Sequence, residues 1–342
     1  MERNVELEMA EKAFAVRRSS SVSKQVVVGI LVFLIAFSVP WWADASATHL
    51  LVEVFVLITV AQMWNMLSSF GGVVSIGQQA FVGVGAYGFF YVANFATGNP
   101  FVLLPVAGLV AAAIAFVFSP MLFRLRGAHF SIATWALAEM FRIGVNNSDT
   151  LGAGTGLSFD RITYVGRAMR GMVTYWSALA VLAVAILTLI LLLRSPYGVA
   201  LRAIKTNEGA AESVGIRVLT LKRAIFVLSA AITGLAGGVA YLNTLQVSPD
   251  AAFSVNWVAF AIFAVIIGGA GSIEGPIVGA LVFFGLRETL SNYGAWYLII
   301  LGLAAIIVTL FIPEGLFGWA KKKWGWGLFD MNYHVHLKDG DV

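Results

Sequence analysis

Residues 268–280 read GGAGSIEGPIVGA, and the first question is whether these glycines form a nucleotide-binding loop. The spacing of Gly269, Gly271 and Gly275 is close to that of a loop that holds a nucleotide phosphate. Such a loop needs a strand before it, a helix after it and a soluble βαβ unit around both. Apolar runs flank this stretch instead, and no alternating strand precedes it. Because no GxxxxGK[ST] motif occurs either, the sequence predicts no ATP site of the chain's own.

The composition of the 342-residue chain is typical of a membrane protein. Hydrophobic residues make up 59% and charged residues only 12%, whereas a soluble domain carries about 25% charged residues. The absence of cysteine excludes disulfides, thiol catalysis and thiolate metal sites. The apolar runs contain no His, Asp and Glu cluster of catalytic spacing. We therefore expect no enzymatic activity, no metal, no resident cofactor and no nucleic-acid partner.

Apolar runs long enough to span a bilayer, about 17–25 residues each, recur about ten times along the chain. They predict an all-α, polytopic membrane helix bundle with broken, glycine-rich helices. The predicted spans lie near Val26–Trp42, Leu50–Leu67, Val73–Phe95, Phe101–Leu122, Phe130–Val145, Thr174–Leu193, Ala224–Leu245, Val255–Gly269, Ile277–Leu290 and Ala295–Ile312.

The distribution of Lys and Arg predicts the orientation of these spans. When the spans alternate from a cytoplasmic N terminus, the basic connections fall inside, and only Arg161, Arg167 and Arg170 fall outside. Both termini are then cytoplasmic. The tail mixes Trp and Lys, which suits anchoring to membrane lipid at the inner face. The predicted parts are a cytoplasmic segment 1–25, a transmembrane domain 26–315 with a cytoplasmic loop 195–223, and a cytoplasmic tail 316–342.

The glycines of the opening stretch allow two interpretations. Gly271, Gly275 and Gly279 are spaced by four, and Gly234 with Gly238 repeats this spacing. Small residues at such intervals let helices pack closely in lipid. Alternatively, these glycines and the neighbouring proline break a helix at membrane depth. Unwound backbone is tolerated there only when it is buried in protein or lines an aqueous path, and many transporters hold substrate at such breaks.

A second interruption strengthens the transport interpretation. Residues 71–88, GGVVSIGQQAFVGVGAYG, share the pattern G-G-x-x-S-I with residues 268–273, which indicates a duplicated half. The serine and two glutamines in this run must pair with another helix or face water, because an unpaired buried amide costs about 4–8 kcal/mol on a cyclohexane scale. Asn65 and Gln62 are open to the same two interpretations. The predicted substrate-pathway residues are Ser75, Gln78, Gln79, Gly83, Gly271, Ser272 and Gly275.

Ionisable residues inside spans are rare and count as functional candidates. Glu139 and Arg142 are three residues apart and are expected to pair with each other. Arg287 and Glu288 are adjacent, so they point to different faces and need partners elsewhere. Glu53 lies close to the outer interface, where its carboxylate can extend to water. The spans carry no run of acids and histidines typical of a proton relay, which argues against an ion-driven carrier.

Residues 195–224, SPYGVALRAIKTNEGAAESVGIRVLTLKRA, form the longest inner loop. A helical pattern runs from Val199 to Val214, with an interruption at Gly209 and a stop at Gly215. Such an amphipathic helix can lie on the membrane or dock into a groove of another protein. The apolar face is predicted to contain Ala203, Ala210 and Val214.

Several segments resemble a known family. Residues 201–216, LRAIKTNEGAAESVGI, are similar to the Glu-Ala-Ala…Gly loop of bacterial ABC importer permeases, the element that couples to the ATPase. Residues 71–90 and 268–285 resemble the two glycine segments of branched-chain amino acid permeases, and AITGLAGGVAYL at 231–242 also fits. The likeness covers roughly residues 50–315 and is closer to the M-type subunit than to its H-type partner.

The resemblance implies one pore half of an ATP-driven importer in the bacterial inner membrane, carrying branched-chain or other amino acids. It implies a second homologous permease, two cytoplasmic ATP-binding subunits that hold the ATP, and a periplasmic solute-binding protein as partners. No catalytic residue is expected, because no chemistry occurs on the solute. The residues implied in ATPase coupling are Arg202, Lys205, Glu208, Ala210, Ala211 and Gly215.

The solute stays open at this point. Gln78 and Gln79 stand where the family commonly has His-Gly or similar, and Gly209 interrupts the coupling helix. Urea or amide importers share the same scaffold and are the first alternative. A self-powered secondary transporter of similar architecture is the alternative from a different functional class.

Overall fold

Helices make up most of the part of the chain that the structure describes. The structure is a computed structural model, and it describes residues 14–17, 22–95, 100–159, 167–290, 294, 296–324 and 334–337. Most of the predicted cytoplasmic segment 1–25, much of the tail 316–342, and Arg161 lie outside the described residues.

The chain divides into two compact units. The smaller comprises Met1–Ile35 and Gly327–Val342, and its described part contains an antiparallel pair of strands in which Phe14 lies opposite Leu337. The larger unit, Ala36–Trp326, holds every site discussed below.

The elements follow one another along the chain with short connections. Short 3₁₀ turns occur at Val39–Trp41, Pro100–Leu103 and Asp149–Leu151, and a π-helical turn at Met66–Phe70. The strands and helices are β1 (Phe14–Arg17), α1 (Val22–Ser38), α2 (Ala45–Asn65), α3 (Gln78–Phe95), α4 (Leu104–Leu122), α5 (Ala128–Asn146), β2 (Leu157–Ser158), α6 (Arg167–Arg194), α7 (Pro196–Thr206), α8 (Glu208–Ser213), α9 (Val218–Thr244), β3 (Gln246–Val247), α10 (Pro249–Ala252), α11 (Asn256–Gly268), α12 (Glu274–Leu290), α13 (Trp296–Phe311), α14 (Gly315–Trp324) and β4 (His334–Leu337).

The all-α membrane bundle predicted from the sequence is confirmed. Each of the ten predicted apolar runs coincides with a helix. By length and composition, five helical stretches of the described residues can cross a membrane, and a sixth arises if α13 and α14, bent by 42°, form one span. The count of about ten spans and the cytoplasmic termini therefore stay predictions. The five stretches are Ala45–Phe70, Phe101–Leu122, Met169–Arg194, Val218–Thr244 and Pro249–Gly268.

Small residues bring the central helices into backbone contact. A methyl group added to Gly237 of α9 would overlap the backbone of Val82 in α3, and one added to Gly234 would lie 2.7 Å from the carbonyl oxygen of Ala107 in α4. Gly238 also faces Ala107. The predicted packing role of Gly234 and Gly238 is therefore confirmed, and α9 lies between α3 and α4. In lipid this close packing holds helices together because little hydrophobic force acts between them.

The three glycines of the opening stretch do not share one helix face, contrary to the packing interpretation. Gly271 lies before α12 with φ 80°, a conformation that favours glycine. Gly275 and Gly279 do lie on α12, and an added methyl group on Gly279 would overlap the backbone of Ala264 in α11. The face is broken because the chain unwinds between α11 and α12.

Replacing Gly237 by Ala tests the packing between α3 and α9. The added methyl group meets only backbone atoms of Val82, which cannot rotate away. We expect the free energy of unfolding to fall by about 1–3 kcal/mol, the usual cost of overpacking. Thermal unfolding of the purified protein in detergent measures the change.

Gly302→Ala is the matched control, because Gly302 lies in helix α13 with no atom within 4 Å of an added methyl group. That variant should be as stable as the wild type or more stable, since Ala favours a helix over Gly by about 1 kcal/mol. Equal unfolding midpoints for the two variants would contradict the close contact of α3 with α9.

Candidate functional site

Two unwound segments interrupt the bundle where the sequence shows its repeated G-G-x-x-S-I pattern. The first break comprises residues 71–77, between the end of α2 and the start of α3. The second break comprises residues 269–273, between α11 and α12. Each break exposes backbone groups that must find partners, because an unsatisfied group in a membrane interior costs several kcal/mol.

The first break is held by a side chain from α2. The indole Nε1 of Trp64 donates a hydrogen bond to the carbonyl oxygen of Ser75 at 2.8 Å. The hydroxyl of Ser75 accepts a hydrogen bond from the backbone nitrogen of Gly77 at 3.2 Å. The buried hydroxyl of Ser75, a predicted pathway residue, therefore serves the turn that leads into α3.

Helix α5 supplies further hydrogen bonds to the first break. The hydroxyl of Ser131 donates to the carbonyl oxygen of Val74 at 2.6 Å. The hydroxyl of Thr134 accepts from the backbone nitrogen of Ile76 at 3.2 Å. Gly77 lies so close to the backbone of Thr134 that a methyl group there would overlap it. The first break is thus fixed between α2 and α5.

The second break is held by the same stretch of α2. The amide of Asn65 donates to the carbonyl oxygen of Ser272 at 2.8 Å and accepts from the backbone nitrogen of Gly271 at 3.1 Å. The amide nitrogen of Gln62 donates to the carbonyl oxygen of Ile273. Asn65 and Gln62 are fully buried. The contacts of Asn65 support a structural role, whereas the amide oxygen of Gln62 has no hydrogen-bond partner within the described residues.

The side chain of Ser272 completes the second break. Its hydroxyl donates to the carbonyl oxygen of Gly269 and accepts from the backbone nitrogen of Gly275, each at 3.0 Å. Gly269 and Gly271 have φ values of 123° and 80°, which side chains with a Cβ rarely adopt. The predicted pathway residues of this break therefore contribute a turn that starts α12.

Gln78 and Gln79 are the predicted pathway residues with unused polar atoms. Both are fully buried at the start of α3. The amide nitrogen of Gln78 donates to the hydroxyl of Ser229 in α9 at 3.0 Å. The amide oxygen of Gln78, both amide atoms of Gln79, and the hydroxyl of Thr233 have no hydrogen-bond partner within the described residues. Thr233 lies one turn after Ser229, so the middle of α9 and the start of α3 carry unused hydrogen-bonding capacity.

Gly83, also a predicted pathway residue, lies in a packing contact. A methyl group added to Gly83 would overlap the ring of Phe253. That ring also stacks on Tyr87, with ring centroids 6.0 Å apart. The glycine lets the aromatic ring of Phe253 lie directly against α3.

The predicted coupling loop folds as two helices, α7 and α8. We name these two helices, together with the turn up to Arg217, the coupling segment. The helical pattern predicted from Val199 to Val214 is present, but its predicted interruption at Gly209 is wrong, because the chain bends at Asn207. Asn207 has an extended backbone, and its side-chain oxygen accepts from the backbone nitrogen of Ala210 at 3.0 Å, which caps α8. Asx side chains favour such caps over helix interiors.

A small core and an ion pair order the coupling segment. Ile204, Ala211 and Val218 pack together as a buried cluster. Lys222 at the start of α9 forms an ion pair with Glu208. These contacts fix the coupling segment to the end of α9.

The six predicted coupling residues occupy different environments. Ala211 is 2% exposed, whereas Val214 is 76% exposed. Of the predicted apolar face, Ala203 does pack against the buried cluster, but the prediction is wrong for Ala210 and Val214, since the bend at Asn207 changes which residues of α8 face inward. Arg202 is half-buried. The exposed members of the six are Lys205, Glu208, Ala210 and Gly215.

The coupling segment lies against the first break. A methyl group added to Gly72 would lie 3.8 Å from Cα of Lys205. The neighbouring Gly71 faces the side chain of Ile225, in the second turn of α9. The unwound backbone is thus in direct contact with the loop that the sequence resemblance implies in coupling.

The ionisable residues of the spans are paired. Arg142 contacts Glu139 at 2.6 Å, which confirms the predicted pair, and also Asp250 at 2.6 Å. Arg287 contacts Glu53 at 2.8 Å. Glu53 is 46% exposed, which agrees with the prediction that its carboxylate can extend to water, and it also pairs with Arg287 from a distant part of the chain.

The Glu53–Arg287 pair borders a cavity of about 370 Å³, which we name the distal cavity. It lies where α2, the end of α9, the start of α11 and the end of α12 meet. Glu53 precedes Asn65 by 12 residues on α2, or about 18 Å along the helix at 1.5 Å per residue. The distal cavity is therefore far from both breaks, and none of the predicted pathway residues lines it. Its only signal in the sequence was the unexplained charge of Arg287.

Comparison with known proteins assigns the family. A family model described as the permease component of the branched-chain amino acid transport system matches residues 46–310. The chain belongs to this family. The resemblance found in the sequence motifs is therefore confirmed, and the protein is a permease. Its apolar helices place it in a membrane, in agreement with the predicted inner-membrane location.

Three of the similar proteins are LivM permeases. The high-affinity branched-chain amino acid transport system permease protein LivM of Salmonella typhimurium is 26% identical over 322 residues, covering 86% of this chain and 76% of the relative. LivM of Escherichia coli is 26% identical over 328 residues, covering 88% and 76%. A probable LivM of Methanocaldococcus jannaschii is 27% identical over 209 residues, covering 58% and 61%. No solved structure matches the chain.

Asn65→Leu tests how the second break is held. The substitution removes the partner of the backbone nitrogen of Gly271 and of the carbonyl oxygen of Ser272, both in part-buried contacts, at about 1 kcal/mol for each lost hydrogen bond. We expect the unfolding midpoint of the purified permease to fall by several degrees.

Asn94→Leu serves as the control, because Asn94 also donates to a backbone oxygen, that of Ser158, but at an exposed position. Water replaces that bond, so the change should stay within about 0.5 kcal/mol. If Asn65→Leu were as stable as Asn94→Leu, the polar contacts between α2 and the second break would not hold the segment.

Proposed function

We propose that this permease is one membrane subunit of an ATP-driven importer and that its solute is a branched-chain amino acid. The family match over residues 46–310 carries this proposal. The relatives named above are branched-chain amino acid transport permeases by name. The absence of a GxxxxGK[ST] motif in the sequence agrees with ATP being held by separate subunits.

The coupling segment is the docking site for an ATP-binding subunit in this proposal. Lys205, Glu208 and Ala210 are exposed on it, and the apolar side chain of Val214 extends from its tip. A helix that presents such residues fits a groove of a partner protein. The internal cluster and the Lys222–Glu208 ion pair let the segment move as one body with α9.

The contact between the coupling segment and the first break transmits the movement. Gly72 lies against Lys205, and Gly71 lies against Ile225 of α9. A displacement of α7 or α9 therefore acts directly on the backbone between α2 and α3. Packed elements of this kind move between discrete arrangements rather than deform continuously.

Helix α2 carries the movement to the second break. Trp64 bonds the first break, and its neighbour Asn65 bonds the second. The start of α3, with Gln78 and Gln79, then shifts relative to α9. Their unused amide atoms gain partners, water or solute, when the inner side of the pathway opens. In this way the predicted pathway residues act as an inner gate.

The remaining partners follow from the same proposal. A second homologous permease supplies the other pore half, two ATP-binding subunits drive the pair, and a solute-binding protein delivers the amino acid from outside. The protein transfers its solute without chemical change, so it requires no catalytic residue and no cofactor of its own.

Uptake by the reconstituted complex tests the proposal. The permease is placed in proteoliposomes with its second permease, the ATP-binding subunits and the binding protein, and uptake of labelled leucine is measured with and without ATP. We expect uptake only with ATP. Val214→Asp should lower the initial rate at least tenfold, because it places a charge where an apolar contact forms.

Thr150→Asp is the control, since Thr150 is exposed at the opposite end of the bundle, after the last residue of α5. It should transport at the wild-type rate. Leucine uptake without ATP would identify a self-powered carrier. ATP-driven uptake of urea without uptake of leucine would replace the amino-acid solute by the urea or amide class.

A further inference from the structure

We propose that the distal cavity is a binding station for a zwitterionic amino acid with an apolar side chain, in which Arg287 holds the carboxylate and Glu53 holds the ammonium group. The inference rests on the proposed function and adds to it the residues that recognise the solute. None of the residues in the predicted pathway takes part.

The ion pair of Glu53 and Arg287 supplies the polar half of the station. The two side chains meet at 2.8 Å and are 46% and 44% exposed, so both are accessible to a solute in the cavity. Arg287 uses Nη1 toward Glu53, and a guanidinium has five N–H donors, which suit a carboxylate in a bidentate contact. Glu53 has carboxylate oxygens to accept from an ammonium group.

Charge balance favours a zwitterion over other solutes. The pair is neutral as a unit, and an entering zwitterion adds one positive and one negative charge. It can replace the single Glu53–Arg287 contact by two ion pairs, so that each charged side chain keeps an opposite charge beside it. A solute with a single charge would pair with only one of the two side chains and would compete with the other for it.

Aromatic side chains supply the apolar half. Trp257 and Phe260 from α11 and Phe283 and Phe284 from α12 line the cavity. The rings of Phe260 and Phe283 are 4.5 Å apart, and the guanidinium of Arg287 lies 5.5 Å from the ring of Phe284. The charged groups and the aromatic wall are therefore adjacent, as the two ends of an apolar amino acid require.

The size of the cavity agrees with a small solute. Its volume of about 370 Å³ lies at the lower end of the range of about 300–1,000 Å³ in which ligand pockets fall. A wall of apolar and aromatic side chains with a few polar groups that fix orientation is the usual composition of such a pocket.

The initial rate of leucine uptake by the reconstituted complex, at saturating loaded binding protein, tests the polar half. The leucine concentration for half-maximal uptake then depends on the binding protein, whereas the rate of uptake depends on the permease. Glu53→Gln and Arg287→Gln each remove one charged contact to the solute. We expect each to lower the rate about tenfold to a hundredfold, with an unchanged half-saturating concentration and retained binding-protein-stimulated ATPase activity.

Glu139→Gln is the matched control, because Glu139 is also an ion-paired carboxylate inside a helix but does not line the cavity. It should transport leucine at the wild-type rate. Wild-type rates in Glu53→Gln and Arg287→Gln would overturn the assignment of these two residues.

A cysteine at Ser254 tests the cavity without disturbing the ion pair. Ser254 lines the cavity, and the chain contains no other cysteine. The unlabelled S254C complex should transport leucine, and attachment of a bulky thiol reagent should abolish uptake. Leucine should slow the labelling, whereas isocaproate, which lacks the amino group, and isopentylamine, which lacks the carboxylate, should not.

A cysteine at Thr155, exposed and outside the cavity, controls for the reagent and should keep its uptake after labelling. Full uptake by labelled S254C, or equal protection by all three compounds, would overturn the station. Failure of the proposed function is distinct from these results, since it shows as an absence of ATP-driven leucine uptake in the wild-type complex itself.

Discussion

The structure depends on one constraint, namely that backbone groups released by a broken helix must be satisfied inside the protein. Within the lipid, water is absent and each orphan group costs several kcal/mol. Helix α2 contributes to both breaks of this permease. Trp64 of α2 bonds the first break, to which α5 also contributes, and Asn65 and Gln62 bond the second. The two breaks are joined at this point.

The two ends of α2 contact different parts of the protein. One end holds the two breaks, and the first of them lies beside the coupling segment at Gly72 and Lys205. The other end carries Glu53, which borders the distal cavity. Helix α9 repeats the pattern, since it begins at the coupling segment and ends at the same cavity. In the proposed function, these two helices carry movement from the coupling segment to the distal cavity, as a solute pathway driven from the cytoplasmic side needs.

Much of the fold could be predicted from the sequence, because apolar runs in lipid have one stable form. The helices, the family and the Glu139–Arg142 pair follow from hydropathy, motifs and a spacing of three residues. Two local predictions were wrong because hydrophobic periodicity does not show where a helix is capped or unwound. Asn207 ends α7 by capping α8, and Gly271 lies in the unwound turn rather than on α12.

The site could be predicted only in part. The polar residues at positions 62, 65, 75 and 78 were recognised as buried, but the sequence does not show whether they face water or one another. Their partners are as far apart as Asn65 and Ser272. The distal cavity was missed for the same reason, because Glu53 and Arg287 come from opposite ends of the chain. Pairing between residues so far apart in the sequence can be identified only from the tertiary structure.

Hydrogen–deuterium exchange of the backbone amides in residues 269–275 tests the central claim most directly. These amides lie in an unwound segment rich in glycine, yet Gly271 donates to Asn65 and Gly275 donates to Ser272. The account predicts that they exchange as slowly in the purified permease as the amides of α9. Exchange as fast as in the exposed turn at residues 152–155 would show that α2 does not hold the second break, and would contradict the account.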